Sequence, residues 1–111
     1  MMTPEGKIQA YGMAELKKRG CLVRKIGYEG RRGCPDHLVL VPERLAHSKK
    51  GYPCLEFRSD VIFIEYKATE DTQPEPHQIR EHERMRAAGG DVRTVGSKAQ
   101  VDALVMELFP G

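Results

Sequence analysis

What this 111-residue chain has little of narrows its class first. Its three cysteines, Cys21, Cys34 and Cys54, are odd in number and form no Cys-x-x-Cys pair. That argues against a disulfide framework and against a structural zinc site, and points to a reducing cytoplasm. No apolar run approaches the roughly 20 residues that span a bilayer, and Met1 to Lys7 lack the apolar core of a secretory signal. No membrane association and no export are expected. An excess of one charge sign is also missing: 18 Lys and Arg against 16 Asp and Glu leave a net +2 and a pI near 8.5. This is a mild basic bias, weaker than the footprint of a protein that coats nucleic acid. The length fits one domain over residues 1–111 with a single core. No internal repeat or low-complexity tract is present.

Local signals then order the elements. Thr3-Pro4-Glu5 combines a capping hydroxyl, a proline suited to the first helical position and an acid at the positive end of the dipole, so a helix is expected to about Lys18, stopped by Gly20. Gly6 and Gly12 weaken it, while Ile8, Tyr11 and Leu16 give it a partly apolar face; Gln9 shares a stripe with Met13 and Leu16 and so borders the buried side. Strands are expected at Cys21–Ile26 and His37–Val41, separated by the glycine-rich "GYEGRRGCP". Pro42, Gly51 and Pro53 amid charge mark residues 42–60 as a long irregular connection, with at most a short strand at "CLEF". Val61–Lys67 is apolar on both faces and reads as a central strand. A helix from Pro76 to Ala88 stops at Gly89-Gly90, and "DVRTV" is a fourth strand. Ser97 and Gln100 form a capping-box pattern ahead of Val101, Leu104, Val105 and Leu108, spaced for one helix face that serves as core or as interface. The order α-β-β-β-α-β-α implies an α/β fold whose mixed sheet is antiparallel first and reaches its last strand through a helical crossover.

The stretch "VIFIEYKA" sets the chemistry. Side chains alternate along a strand, so Glu65 and Lys67 share a face while Tyr66 points away. Asp36, after Pro35 at the start of the neighbouring strand, would meet Glu65 at the same end of the sheet if the two strands pair. Two carboxylates suit a hard divalent cation such as Mg²⁺, and a lysine beside them can orient water or steady charge on phosphorus, so the chemistry indicated is phosphodiester hydrolysis. Each motif alone has a plainer explanation: Pro-Asp opens turns, and Glu-x-Lys blunts sheet edges. Their combination, with an apolar strand before Glu65 and a basic glycine loop before Pro35, is what carries the reading. In that loop Arg31 and Arg32, with Lys25 nearby, suit phosphate oxygens, and Lys49 and Lys50 add positive charge further on. Such binding reads shape more than sequence and weakens with salt.

"GRRGCPDHLVL", "VIFIEYKA" and "PHQIREHERMRAAGGDVRTV" together resemble the VRR-NUC branch of the PD-(D/E)xK nuclease superfamily, in its small stand-alone phage and bacterial form. In "DVRTV" the Val92-Arg93 pair is kept and Thr94 replaces the second arginine of the branch. The resemblance implies a restriction-endonuclease-like three-layer core with a mixed sheet flanked by helices. It implies Mg²⁺ or Mn²⁺ held by Asp36, Glu65 and the backbone carbonyl of Tyr66, with Lys67 as the catalytic lysine. It also implies Gln78 beside the metal site, a homodimer, branched or junction DNA as substrate, and the cytoplasm of a bacterium or phage-infected host. His82, one turn beyond Gln78, reads as a buried, hydrogen-bonded histidine rather than a ligand.

Gln9 departs from the pattern, which has a metal-binding glutamate at that place on the first helix. An amide is a weaker ligand for a hard cation than a carboxylate. Three readings follow: this member tolerates glutamine, the acid comes from Glu5 or Glu15, or Gln9 is an engineered, isosteric glutamate-to-glutamine change made to trap an inactive complex. The isosteric character favours the last. Beside a structure-selective endonuclease, a resolvase of Holliday junctions included, stand a non-catalytic DNA-binding module that keeps the fold and a nickase.

Overall fold

The computed structural model describes residues 2–50 and 54–111. Helix α1 (Pro4–Lys18) starts where the sequence says it should, with the Thr3 hydroxyl accepting the Gly6 amide at 3.0 Å. It ends at Gly20, whose φ of 86° is the left-handed conformation that a glycine adopts without penalty. Strands β1 (Leu22–Lys25), β2 (His37–His47), β3 (Leu55–Tyr66) and β4 (Asp91–Val95) follow, with α2 (Pro76–Ala87) between the last two and α3 (Lys98–Leu108) at the end. Ser97 caps α3 by accepting the Gln100 amide, but Gln100 Oε1 returns to the Gly96 amide rather than to Ser97.

The sheet order is β1-β2-β3-β4, antiparallel across the first two pairs and parallel for β3 and β4. This is the expected mixed sheet with its helical crossover. One face packs under α1 and α3: Val39, Ile62, Ile64 and Tyr66 from the strands meet Ile8, Leu16, Val101, Leu104 and Val105 from the helices. Gly12 has a use that helix propensity does not reveal. A Cβ built there would lie 2.2 Å from the Tyr66 hydroxyl oxygen, so the glycine makes room for the largest fully buried side chain.

Two expectations are corrected. Residues 42–60 are not an irregular connection: β2 runs on to His47 and β3 begins at Leu55, so the pair forms a long hairpin arm. Pro42, taken as a strand breaker, sits at an irregularity between Val41 and Arg44 that shifts the register without ending the pairing. Gly51 and Pro53 lie outside the described residues. Second, β3 is an inner strand but is not apolar-buried on both faces. Its core side holds Ile62 and Ile64, whereas Val61 on the other side is 48% exposed. Helix α2 covers that second face only near the C-terminal end of β3.

Beneath the arm, Asp60 is buried among cations, 2.6 Å from Arg44 Nη1, 2.9 Å from Arg58 Nε and 2.7 Å from Lys49 Nζ. Burial alone would raise its pKa, but hydrogen bonds to Lys49, Arg44 and Arg58 outweigh it and hold the carboxyl well below the usual range. Arg44 also donates from Nε to the Leu108 carbonyl, tying the arm to the last turn of α3. Among the described residues no helix is long and apolar enough to cross a membrane.

Candidate active site

Strand pairing decides whether the acids meet. His37 lies opposite Ile64, so the residue before it and the residue after Ile64, Asp36 and Glu65, face each other at one end of the sheet. Asp36 Oδ2 accepts the Tyr66 amide at 2.7 Å, a bond that ties the turn ahead of β2 to the end of β3. Tyr66 itself turns to the core, its ring edge-on to His37 at 5.5 Å. Glu65 and Lys67, two apart, project together from the opposite face, and both are buried.

Helix α2 supplies the hub. Gln78 Oε1 accepts from Lys67 Nζ at 2.8 Å and from the Glu75 amide at 2.8 Å, and its Nε2 donates to Glu65 Oε2 at 3.2 Å. Because the oxygen faces two donors and the nitrogen an acceptor, the orientation of the amide is fixed. Lys67 Nζ also lies 3.6 Å from Glu65 Oε2. Asp36, Glu65 and Lys67 thus gather at one end of the sheet, as the strand argument required, and Gln78 joins them from α2.

Its electrostatics are unbalanced. Burial, and after it the Asp36 carboxylate, push the Glu65 pKa up to about 7 against the pull of Lys67. Glu65 Oε1 is buried with no hydrogen-bond partner. Two hard carboxylates, one with an orphaned oxygen, would be relieved by a cation between them, and Mg²⁺ characteristically binds through one or two carboxylates while keeping its waters. The donor set fits such an ion. It goes no further than two acids: among the described residues no group of three or more His, Cys, Asp or Glu is spaced to hold a metal.

The first-helix position does not complete the acids. Gln9 Nε2 lies 3.1 Å from His37 Nε2, on the core side of β2 rather than on the face of Glu65. Glu15 pairs with Lys18 at 2.7 Å, and Glu5 stands one turn before Gln9 on α1. His37 was not singled out in the sequence although it follows Asp36 directly; it is buried and its Nδ1 has no partner. Strand alternation was the available signal, since it sends His37 to the face opposite Asp36 and toward α1.

The basic residues separate into two groups. Arg31 is anchored to Glu81 on α2 at 2.6 Å, with Tyr28 donating to the other carboxylate oxygen at 2.7 Å, and Arg32 lies 3.1 Å from His77 Nδ1. The loop ahead of Asp36 is thereby fastened to the helix that carries Gln78. The Glu81 carboxyl is held below its ordinary range, first by the Tyr28 hydroxyl and then by Arg31 and Arg84, against burial. Glu81 is 50 residues from Arg31, and no local pattern reveals the contact. Lys25 is exposed at the end of β1, near the start of β2. Lys49 and exposed Lys50 follow β2, and Lys49 reaches back to Asp60 at 2.7 Å, five residues or roughly 17 Å of strand from Glu65 at about 3.3 Å per residue.

A solved structure described as "VRR_NUC domain" is 43% identical to this chain, covers 94% of it and 96% of its own length, and matches with a TM-score of 0.78. The chain belongs to the VRR-NUC family. "Putative nuclease p44" of Acyrthosiphon pisum secondary endosymbiont phage 1 is 33% identical over 94 residues, 85% of this chain and 84% of the relative. No family model matches the chain. The restriction-endonuclease-like order of elements in this VRR-NUC chain places Pro35-Asp36 and Glu65-x-Lys67 on adjacent antiparallel strands, which is the arrangement that the motif needs to act as one site.

Proposed function

We propose that this VRR-NUC chain is a nuclease, in its finer description a divalent-metal-dependent endonuclease that cuts DNA selected by shape, with junctions among its substrates. The observation that carries the reading is the cluster in which half-buried Gln78 binds both buried Lys67 and buried Glu65 while Asp36 faces Glu65. Asp36, Glu65 and the backbone carbonyl of Tyr66 would hold Mg²⁺ or Mn²⁺. When bound, the ion supplies charge neutralisation at the phosphate and a lowered pKa for water. Lys67, aimed by Gln78, orients the attacking water or steadies charge on the phosphate oxygens. Burial of Glu65 and Lys67 limits competing solvent. Arg31, Arg32 and Lys25 border the cluster on the side of the glycine loop, and contact with a phosphate would draw Arg31 from Glu81. Lys49 and Lys50 suit a more distant stretch of the same DNA.

One cluster cuts one strand, so paired cuts require two copies. A homodimer is supported by the sheet face that α2 leaves open. Leu22, Leu40 and Val61 form a cross-strand row there, continued along the arm by Leu45, Phe57 and Leu55. Phe57 is 72% exposed and the others between 39% and 50%, an apolar patch on the order of several hundred Å² that marks an interaction site. The engagement of Gln9 with His37 favours a second reading, a DNA-binding module with weak or absent catalysis, or a nickase.

Cleavage of four-way junctions, flaps and linear duplex in Mn²⁺, by the chain and by Gln9→Glu, separates these. Cutting of branched DNA by either protein, abolished by Lys67→Ala with DNA binding retained, is the expected result. Intact substrates with both proteins would overturn the nuclease reading, and unchanged turnover in Lys67→Ala would remove the lysine from the mechanism.

A further inference from the structure

Helix α2 presents a second side chain to Glu65. His82 lies four residues after Gln78, one turn along the same face, and is 2% exposed. Its Nε2 has no hydrogen-bond partner, and neither has Glu65 Oε1. These two orphaned atoms are 3.9 Å apart, less than 1 Å beyond hydrogen-bond range. Unpaired polar atoms in a protein interior are costly, and here the two complement each other as donor and acceptor. The other carboxylate oxygen, Oε2, is already served by Gln78 and faces Lys67.

We propose that His82 is a positioning residue: its Nε2 proton holds Glu65 Oε1, so that Gln78 and His82 grip the two oxygens of one carboxylate from successive turns of α2. The inference rests on the reading of Glu65 as a metal ligand and deepens it. A carboxylate held at one oxygen rotates about its Cγ–Cδ bond; held at both, its plane is set and its remaining lone pairs stay aimed at the space beside Asp36. Lys67 cannot take this role, because it sits on the Oε2 side.

Two measurements test it, one of them free of metal. In protein carrying ¹⁵N-histidine, with a chelator present and His82 assigned by the signals lost in His82→Gln, the expected tautomer has its proton on Nε2, and that resonance moves in Glu65→Gln. A proton on Nδ1 alone, or an Nε2 signal indifferent to Glu65→Gln, overturns the proposal. In the second, calorimetric titration with Mn²⁺ is expected to show affinity lowered about tenfold or more in His82→Phe. His82→Gln, whose amide can still donate, is expected to stay within about threefold of the unaltered chain. Equal affinity in a folded His82→Phe protein overturns the proposal, and if that variant does not fold the tautomer decides. Failure of the unaltered chain to bind Mn²⁺ would strike the metal reading of the site, while the tautomer still tests His82.

Discussion

Replacing Gln78 by glutamate probes the centre of the cluster with almost no change in size. The introduced carboxyl keeps an oxygen for Lys67 Nζ and for the Glu75 amide, both 2.8 Å from the present Oε1. It loses the donor that now reaches Glu65 Oε2 at 3.2 Å. A hydrogen bond to a charged group is worth about 1.5–3 kcal/mol, and in its place two acids would stand in contact. The introduced acid can avoid that by staying protonated, at about 1.4 kcal/mol for each unit its pKa is raised above the unfolded value of about 4.3. Lys67 offsets part of this, leaving a destabilisation of about 2 kcal/mol at pH 8. Because the folded-state pKa is raised, the penalty is absent below the unfolded value and grows as pH rises; at pH 5 it is small. Urea unfolding in chelator at pH 5 and pH 8 measures both. Added Mn²⁺ should stabilise Gln78→Glu more than the unaltered chain, since a third carboxylate then faces the ion. Identical unfolding midpoints for the two proteins at pH 8 without metal would refute the assignment of the Gln78 amide to Glu65.

Three further outcomes are expected. Gly12→Ala gains about 1 kcal/mol of helix propensity but drives a methyl into the buried Tyr66 hydroxyl, so net destabilisation of about 1–2 kcal/mol is expected in urea; a more stable variant would contradict the packing. Asp60→Asn leaves Arg44 and Arg58 with a neutral partner and should cost about 3 kcal/mol at pH 7. The depressed pKa of Asp60 means its contribution is present above the unfolded carboxylate range and lost as pH falls, so the gap between the two proteins must narrow by pH 3; a constant gap would deny the ion network its role. Leu40→Lys should turn a dimer into a monomer in sedimentation velocity while changing chain stability by no more than about 0.5 kcal/mol, the effect of an ordinary surface substitution. Sedimentation identical to that of the unaltered chain would clear the open sheet face of the role.

Much of the architecture was written locally. Thr3 and Ser97 cap α1 and α3 through their own side chains, Gly20 and the Gly89-Gly90 pair end α1 and α2, and alternation along "VIFIEYKA" put Glu65 and Lys67 on one face because a strand has a period of two. Misreading the 42–60 segment has an equally local cause. Pro42 and scattered charge are breaker signals in isolation, but a bulge absorbs the proline, and the charges Arg44, Arg58 and Asp60 neutralise one another only after the two strands pair.

By itself, then, the sequence determined the succession of helices and strands and the motif residues Asp36, Glu65 and Lys67, all of them properties of neighbours a few positions apart, while the odd standing of Gln9 came from the family resemblance. Only the tertiary structure decided that Asp36 faces Glu65, that Gln78 joins Lys67 to it, that His82 stands 3.9 Å from its free oxygen and that Gln9 turns to His37. Those contacts span 11 to 29 residues of chain, and their geometry follows from strand register and helix docking, which are fixed by burial of the whole core rather than by any local pattern.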